Sequence, residues 1–205
     1  MALKLPHATP KGLLPLSWVI LAAQTEGSHP GVSVVGKDTK LVIATDGWRL
    51  HRAGVPKLAV GAGSYAPPGW MGPDWAELDP WPSTGANIEE DAGPIVASGH
   101  VGRVDALYGY CRAAIAYAQS TGMTTGLVLL RGLMFDARYL ADAISGGLND
   151  LMGAELELHG PTGSHTIRVS HRCGVAWVAG AMLREAYDGS GDPEFVCDQF
   201  VKWEE

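Results

Sequence analysis

Charge is scarce in this chain. Asp, Glu, Lys and Arg make up 18% of its 205 residues, whereas 46% are hydrophobic. That balance excludes an intrinsically disordered chain, which stays unfolded through low hydrophobicity and high charge. Basic residues are the scarcer sign: 15 Lys and Arg stand against 22 Asp and Glu, for a net charge of −7. A protein whose whole surface grips nucleic acid is therefore excluded, while a local basic face or a ring that touches DNA loosely is not. No apolar run reaches the roughly 18 residues of a membrane span. Met1-Ala2-Leu3-Lys4-Leu5-Pro6-His7 lacks the charged and apolar regions of a secretory signal. The expectation is a cytoplasmic protein with no membrane partner. Cysteine is nearly missing too. Cys111, Cys173 and Cys197 are odd in number, far apart and in no C-x-x-C spacing, which points to reduced intracellular thiols.

The usual catalytic constellations are also missing. His165 and His171 flank a strand-like segment with no carboxylate or cysteine at ligand spacing, so they read as exposed strand histidines. Asp46 precedes a glycine, where aspartate ordinarily serves a turn. Asp136 and Asp142 face different sides of one helix. No serine lies in a nucleophile elbow, and the glycines lie in no phosphate-loop spacing. The expectation is a protein without catalytic residues, metal or cofactor.

What is present is a pattern of short elements. Lys4-Leu5 ends a short strand near the Pro6, Pro10 and Pro15 cluster. Leu13–Gln24 has helical spacing, with Gly27 beyond it. Val32–Val35, Leu41–Thr45 and Trp48–Ala53 are strands, the last two joined at Asp46-Gly47, a strong hairpin signal. After the turn, Trp48, Leu50 and Arg52 share one strand face, and Arg49 and His51 the other. A second series starts at Leu127–Leu130, a strand that runs toward Leu133. Asp136 follows as the N-cap of a helix stopped at Gly146-Gly147. Glu155–Leu158, Thr166–Val169 and Gly174–Val178 are the next strands. Strand, helix and three strands thus recur, an internal repeat of pattern rather than of letters.

Between the two series, 57–125 reads as an insertion. Its first half carries Pro67-Pro68-Gly69-Trp70, Pro73-Asp74-Trp75 and Pro80-Trp81-Pro82, punctuated too often for regular structure. Its second half reads as a helix over Val104–Gln119. The narrow stripe of Leu107, Cys111, Ala114 and Ala118 fits close packing on the sheet; a subunit contact or a lid is the alternative.

Ala44-Thr45-Asp46-Gly47-Trp48-Arg49-Leu50 resembles the A-T-D-G-x-R-L signature of the bacterial DNA polymerase III beta subunit, the sliding clamp. Phe135-Asp136-Ala137-Arg138-Tyr139-Leu140-Ala141-Asp142-Ala143-Ile144 is similar to the F-N-x-x-Y-L-x-D-A-L stretch of that family's last domain. Trp177–Leu183 weakly echoes its closing V-M-P-M-R-L strand, without the Pro and Arg. The matches cover about half the chain. The implied fold class is α+β: one DNA-clamp-like domain made of two strand-helix-three-strand units. Its parts would be a first unit at 1–56, the inserted loop and helix segment at 57–125, a second unit at 126–183 and a tail at 184–205.

The resemblance implies a hydrophobic pocket for partner peptides at Thr45, Gly47, Trp48, Arg49 and Leu50, with Met182 and Leu183 as weaker candidates. Trp48 stands where many clamps have His. The same signature recurs in a clamp domain without such a pocket, so it marks fold more firmly than site, and a purely structural role for the hairpin stays open. The implied DNA-facing residues are Lys4, Lys11, Arg112 and Arg138, a thin positive lining. The tail's Gln199-Phe200-Val201-Lys202-Trp203 matches clamp-partner peptides in outline; docking of its aromatics on the body is the favoured expectation.

The implied function is a non-catalytic processivity or scaffold factor, of phage or plasmid type. It would ring double-stranded DNA as a homo-oligomer, with roughly six copies closing by rotation, and would tether a polymerase or other replication protein. The alternatives are an accessory or regulatory protein-binding module that forms no ring and, less favoured, an enzyme with the insertion as a lid.

Overall fold

Short apolar runs separated by Gly, Asp and Pro can form only short strands, and antiparallel pairing joins such strands through tight turns. The computed structural model follows that rule. It describes residues 14–24, 29–37, 39–81, 92–123, 125–148, 151–160, 165–180 and 195–204. The chain divides into two units, one of residues 1–86 with Cys173–Val175 and one of residues 87–172 with 176–205. Among the described residues no helix is long and apolar enough to cross a membrane. Among the described residues the elements are mostly antiparallel strands with three α-helices, a mixed α+β architecture.

In the first unit, α1 (Leu14–Ile20) is followed by β1 (Val32–Val35), β2 (Thr39–Thr45) and β3 (Arg49–Pro56). Then come β4 (Gly63–Ala66) and β5 (Ala76–Leu78). The sheet order is β5-β4-β1-β2-β3, and every one of these pairings is antiparallel. Val32, Val34, Val42, Ala53 and Val55 are buried, and α1 packs its Trp18 and Val19 against β2 and β3. The helix is shorter than its apolar spacing suggests. Beyond Ile20 the bonds tighten to Leu21 N to Trp18 O and Ala23 N to Ile20 O, at 3.2 and 3.0 Å, so the chain leaves the α-helix in a tighter turn. Lys4-Leu5 lies outside the described residues.

The Pro-rich first half of the insertion does contain regular structure, contrary to expectation. Its described prolines, Pro67, Pro68, Pro73 and Pro80, fall outside β4 and β5, strands in which they would remove ladder donors. Tryptophans pin this segment: the Trp81 indole N–H donates to Pro30 O at 2.9 Å, and Trp75 meets Tyr65 edge-on at 6.1 Å.

The second unit begins with β6 (Ile95–Val101) and α2 (Val104–Thr121). The hairpin β7 (Leu127–Leu130) and β8 (Leu133–Asp136) leads into α3 (Ala137–Ser145). Then follow β9 (Ala154–His159), β10 (Thr166–His171), β11 (Gly174–Ala179), whose first two residues are counted with the first unit, and β12 (Lys202–Trp203). The sheet order is β12-β6-β9-β10-β11, with β7-β8 as a separate two-stranded sheet. The single strand expected at 127–133 is thus two. Arg131 (φ 48°) and Gly132 (φ 76°) both turn left-handed, the conformation a two-residue type I′ hairpin requires. Asp136 is the N-cap foreseen for α3: its backbone is extended and its carboxylate accepts the Arg138 N–H at 2.8 Å. The α2 stripe of Leu107, Cys111, Ala114 and Ala118 is fully buried, and α2 packs on α3 and β7. Small residues permit that approach. A Cβ on Gly126 would sit 2.7 Å from Ala114 O.

Strand β6 escaped the sequence pattern because Ser98-Gly99-His100 interrupts its apolar residues. Gly99 is there for space: an added Cβ would lie 2.7 Å from Val201 Cγ1 and 2.8 Å from Trp203 Cε3. β12 crosses at this notch, pairing Trp203 with Gly99 and Lys202 with His100. The described part of the tail, 195–204, therefore docks on its own unit. Gly99→Val should lower unfolding stability by about 1–3 kcal/mol through overpacking and raise proteolysis within 195–204. Denaturant titration and timed digestion of the purified variant check both.

Candidate functional site

The turn between β2 and β3 is built from one hydroxyl and one carboxylate. Thr45 Oγ1 donates to Arg49 O at 2.7 Å and accepts the Gly47 N–H at 3.1 Å. Asp46 Oδ1 accepts the N–H groups of Trp48 and Arg49, both at 3.0 Å. Gly47 has φ 87°, a left-handed conformation that glycine adopts without a Cβ penalty. Asp46 Oδ2 then takes Arg49 Nε at 3.0 Å in a largely buried ion pair. Thr, Asp and Gly at these positions are what the turn's backbone needs.

Arg49 and His51 project toward α1. Arg49 Nη2 donates to Leu21 O at 2.6 Å, and His51 Nδ1 to Trp18 O at 3.0 Å. The His51 ring, fully buried, stacks on Trp18 with centroids 4.5 Å apart. A helix leaves its last carbonyls without intrahelical partners. Here β3 supplies donors to carbonyls at the end of α1, so the turn is stitched to the helix it packs beneath. Gly174, which belongs to the same unit, adds a close contact: its Cβ would fall 2.1 Å from Arg52 O.

These bonds sort the candidate pocket residues. Thr45 is 1% exposed and Leu50 8%, and the Arg49 guanidinium is spent on Asp46 and Leu21. Trp48, at the corner rather than in the strand, is 56% exposed, and Gly47 is exposed beside it. Met182 and Leu183 lie outside the described residues. The surface offered by this turn is therefore the Trp48 indole and the neighbouring backbone.

Of the candidate DNA-facing residues, Lys4 and Lys11 lie outside the described residues. Arg112 is exposed on α2. Arg138, at the start of α3, is half exposed, donates through Nη2 to Asp136 at 2.8 Å and lies over the Tyr139 ring. The hydrogen bond to Asp136 raises its pKa further above the ordinary arginine range. Arg103 makes a similar exposed pair with Asp105, 2.8 Å apart, just before and within the first turn of α2. A phosphate arriving at either arginine would compete with a carboxylate already in place. α2 and α3 lie side by side in the second unit.

His165 is exposed, as expected, but His171 is partly buried, with Nε2 2.9 Å from Ala143 O. Among the described residues no group of three His, Cys, Asp or Glu side chains is placed to hold a metal. Two features carried no sequence signal. Asp198 accepts the Arg131 N–H at 2.9 and 3.1 Å and the Trp203 indole N–H at 3.0 Å, anchoring the tail. Exposed Leu151 and Met152 border a groove of about 540 Å³ beside the His100–Glu155 pair.

No protein-family model matches the chain, and neither does the sequence of any curated protein. The fold is similar to that of a solved structure of DNA polymerase III subunit beta from Borrelia burgdorferi, in complex with a natural product, with a TM-score of 0.54. Sequence identity is 10%, and the match covers 85% of this chain but 63% of that one. The fold is clamp-like. This chain spans less than two thirds of the length of the protein it is similar to.

Because the Asp46 and Arg49 side chains share one ion pair, Asp46→Ala and Arg49→Ala should each destabilise by about 1–3 kcal/mol. Together they should cost less than the sum of the two. Trp48→Ala should stay within about 0.5 kcal/mol of the parent. Urea unfolding of the four variants gives the comparison.

Proposed function

We propose that the chain is a non-catalytic, sliding-clamp-like replication protein: a homo-oligomeric ring that holds double-stranded DNA loosely and tethers a polymerase or another replication protein. The observation that carries this reading is the clamp-like fold together with an intact Ala44-Thr45-Asp46-Gly47-Trp48-Arg49-Leu50 segment at its β2–β3 turn. Partner contact is assigned to that turn, centred on Trp48, an exposed aromatic of the kind that anchors interfaces. Arg112 and Arg138 are assigned to phosphate, in contacts that position the protein without reading sequence. On this reading the protein acts in the cytoplasm.

A second reading is favoured by one observation. Arg103 and Arg138 already hold carboxylates, and a chain of net charge −7 has little positive surface to spare. An accessory module that keeps the clamp-like fold, forms no ring and binds a protein partner would need none.

Retention on DNA separates the two. A ring loaded on nicked circular duplex should remain bound through gel filtration and run off after linearisation. Replacing Arg112 and Arg138 with Ala should lower the salt dependence of binding by about 0.9 in log–log slope per lost phosphate contact. Equal behaviour on circular and linear DNA would exclude encirclement, and no binding to either would favour the accessory module.

A further inference from the structure

The second unit buries two of the chain's three thiols together. Cys111 lies on the inner stripe of α2 and Cys197 just before the short 3-10 turn Asp198–Phe200; both are fully buried and unbridged. Aromatic contacts and backbone bonds bring them together. Phe195 and Phe200, on either side of Cys197, pack on Tyr110 at 5.3 and 5.0 Å, and Phe195 also meets Tyr117 at 5.8 Å. Cys197 N donates to Leu129 O at 2.8 Å, and Leu129 N to Phe195 O at 2.9 Å. With its neighbours held to α2 and β7, Cys197 is brought to the inner stripe of α2, where its thiol interacts with that of Cys111. The interaction with Cys197 first, and burial second, push the Cys111 thiol well above the usual cysteine range, which disfavours the nucleophilic thiolate at Cys111 in the closed form.

The segment that carries Cys197 is lightly held. Past Cys197 its polar contacts are few: β12 is two residues long, Asp198 accepts the Arg131 and Trp203 N–H groups, Glu204 N donates to Ser98 O at 2.8 Å, and Arg131 lies over the Trp203 ring at 5.3 Å. Short edge segments of this kind open far more readily than the whole domain unfolds. Such an opening would expose Cys197 while leaving Cys111 on its helix.

We propose that Cys111 and Cys197 are a reversible dithiol–disulfide pair that fastens the C-terminal segment 195–204 to helix α2. The oxidant is a small-molecule disulfide of the glutathione class. In the opened form the Cys197 thiolate attacks one sulfur of the oxidant. The oxidant's S–S bond breaks, and one thiol leaves. On reclosing, the Cys111 thiolate attacks Cys197 in the mixed disulfide and expels the second thiol. Two protein S–H bonds are exchanged for one S–S bond, the oxidant is reduced to two thiols, and these carry away the two protons. Oxidation thereby turns a lightly held segment into a fixed one and keeps the β6 edge at Gly99 and the Tyr110 face of α2 covered.

The test uses the full chain, native, incubated with glutathione disulfide and mapped by mass spectrometry without reduction. The parent and the tail-loosened Gly99→Val form are treated in parallel. The expected product is a Cys111–Cys197 crosslinked peptide, with Cys173 outside the crosslink. It should form faster in Gly99→Val and be absent from Cys197→Ser. Hydrogen exchange in 195–204 should slow by about tenfold or more after oxidation and recover with dithiothreitol. Free Cys111 and Cys197 in both the parent and Gly99→Val would overturn the proposal. So would a crosslink that leaves exchange in 195–204 unchanged.

Discussion

The first unit depends on what happens to the carbonyl groups at the end of α1. A helix of seven residues has too few internal bonds to persist alone, and its terminal carbonyls must find donors when buried. Arg49 and His51 supply two, at Leu21 and Trp18, from adjacent alternating positions on β3. That arrangement requires the β2–β3 turn to present Arg49 at one orientation. The Asp46 carboxylate does so by accepting two backbone N–H groups and the guanidinium Nε at once. Turn, strand and helix are therefore one cooperative object. The stacking of His51 on Trp18 completes it by filling the space beneath the helix.

This changes how the turn can act in recognition. Arg49 is a structural donor, and Thr45 and Leu50 are buried, so a partner approaching from solvent meets the Trp48 indole. The Trp48 backbone is fixed by Asp46, and a preorganised backbone lowers the entropy cost of binding in the role proposed for this turn. In the second unit the chemistry differs. There α2 buries a stripe of small residues against α3 and β7, and the C-terminal aromatics close over it. Asp198 and the Gly99 notch decide where that segment lies.

Much of this was legible where local chemistry dictates geometry. Asp46-Gly47 announced a hairpin, and Asp136 announced a helix start, because an aspartate before exposed N–H groups satisfies them from its own side chain. The α2 stripe was legible from spacing alone. Other features rest on long-range contacts that spacing does not encode. Strand β6 hides behind Ser98-Gly99-His100, since the glycine answers to Trp203, far away in sequence. The β7–β8 turn was missed because Arg131, rather than a second glycine, adopts the left-handed conformation beside Gly132. The strands of the Pro-rich segment depend on Trp81 reaching Pro30. At the candidate site, the motif marked the turn, but the burial of Thr45 and Leu50 and the pairing of Arg49 with a helix carbonyl came only from the fold.

The central claim is that one clamp-like chain per subunit works as an assembled ring. Its most direct test is solution mass by light scattering during size exclusion, over a wide range of protein concentrations. The account predicts a discrete assembly of roughly six chains, closed by rotation-related contacts, whose mass does not grow as concentration rises. A monomer at every concentration would contradict it.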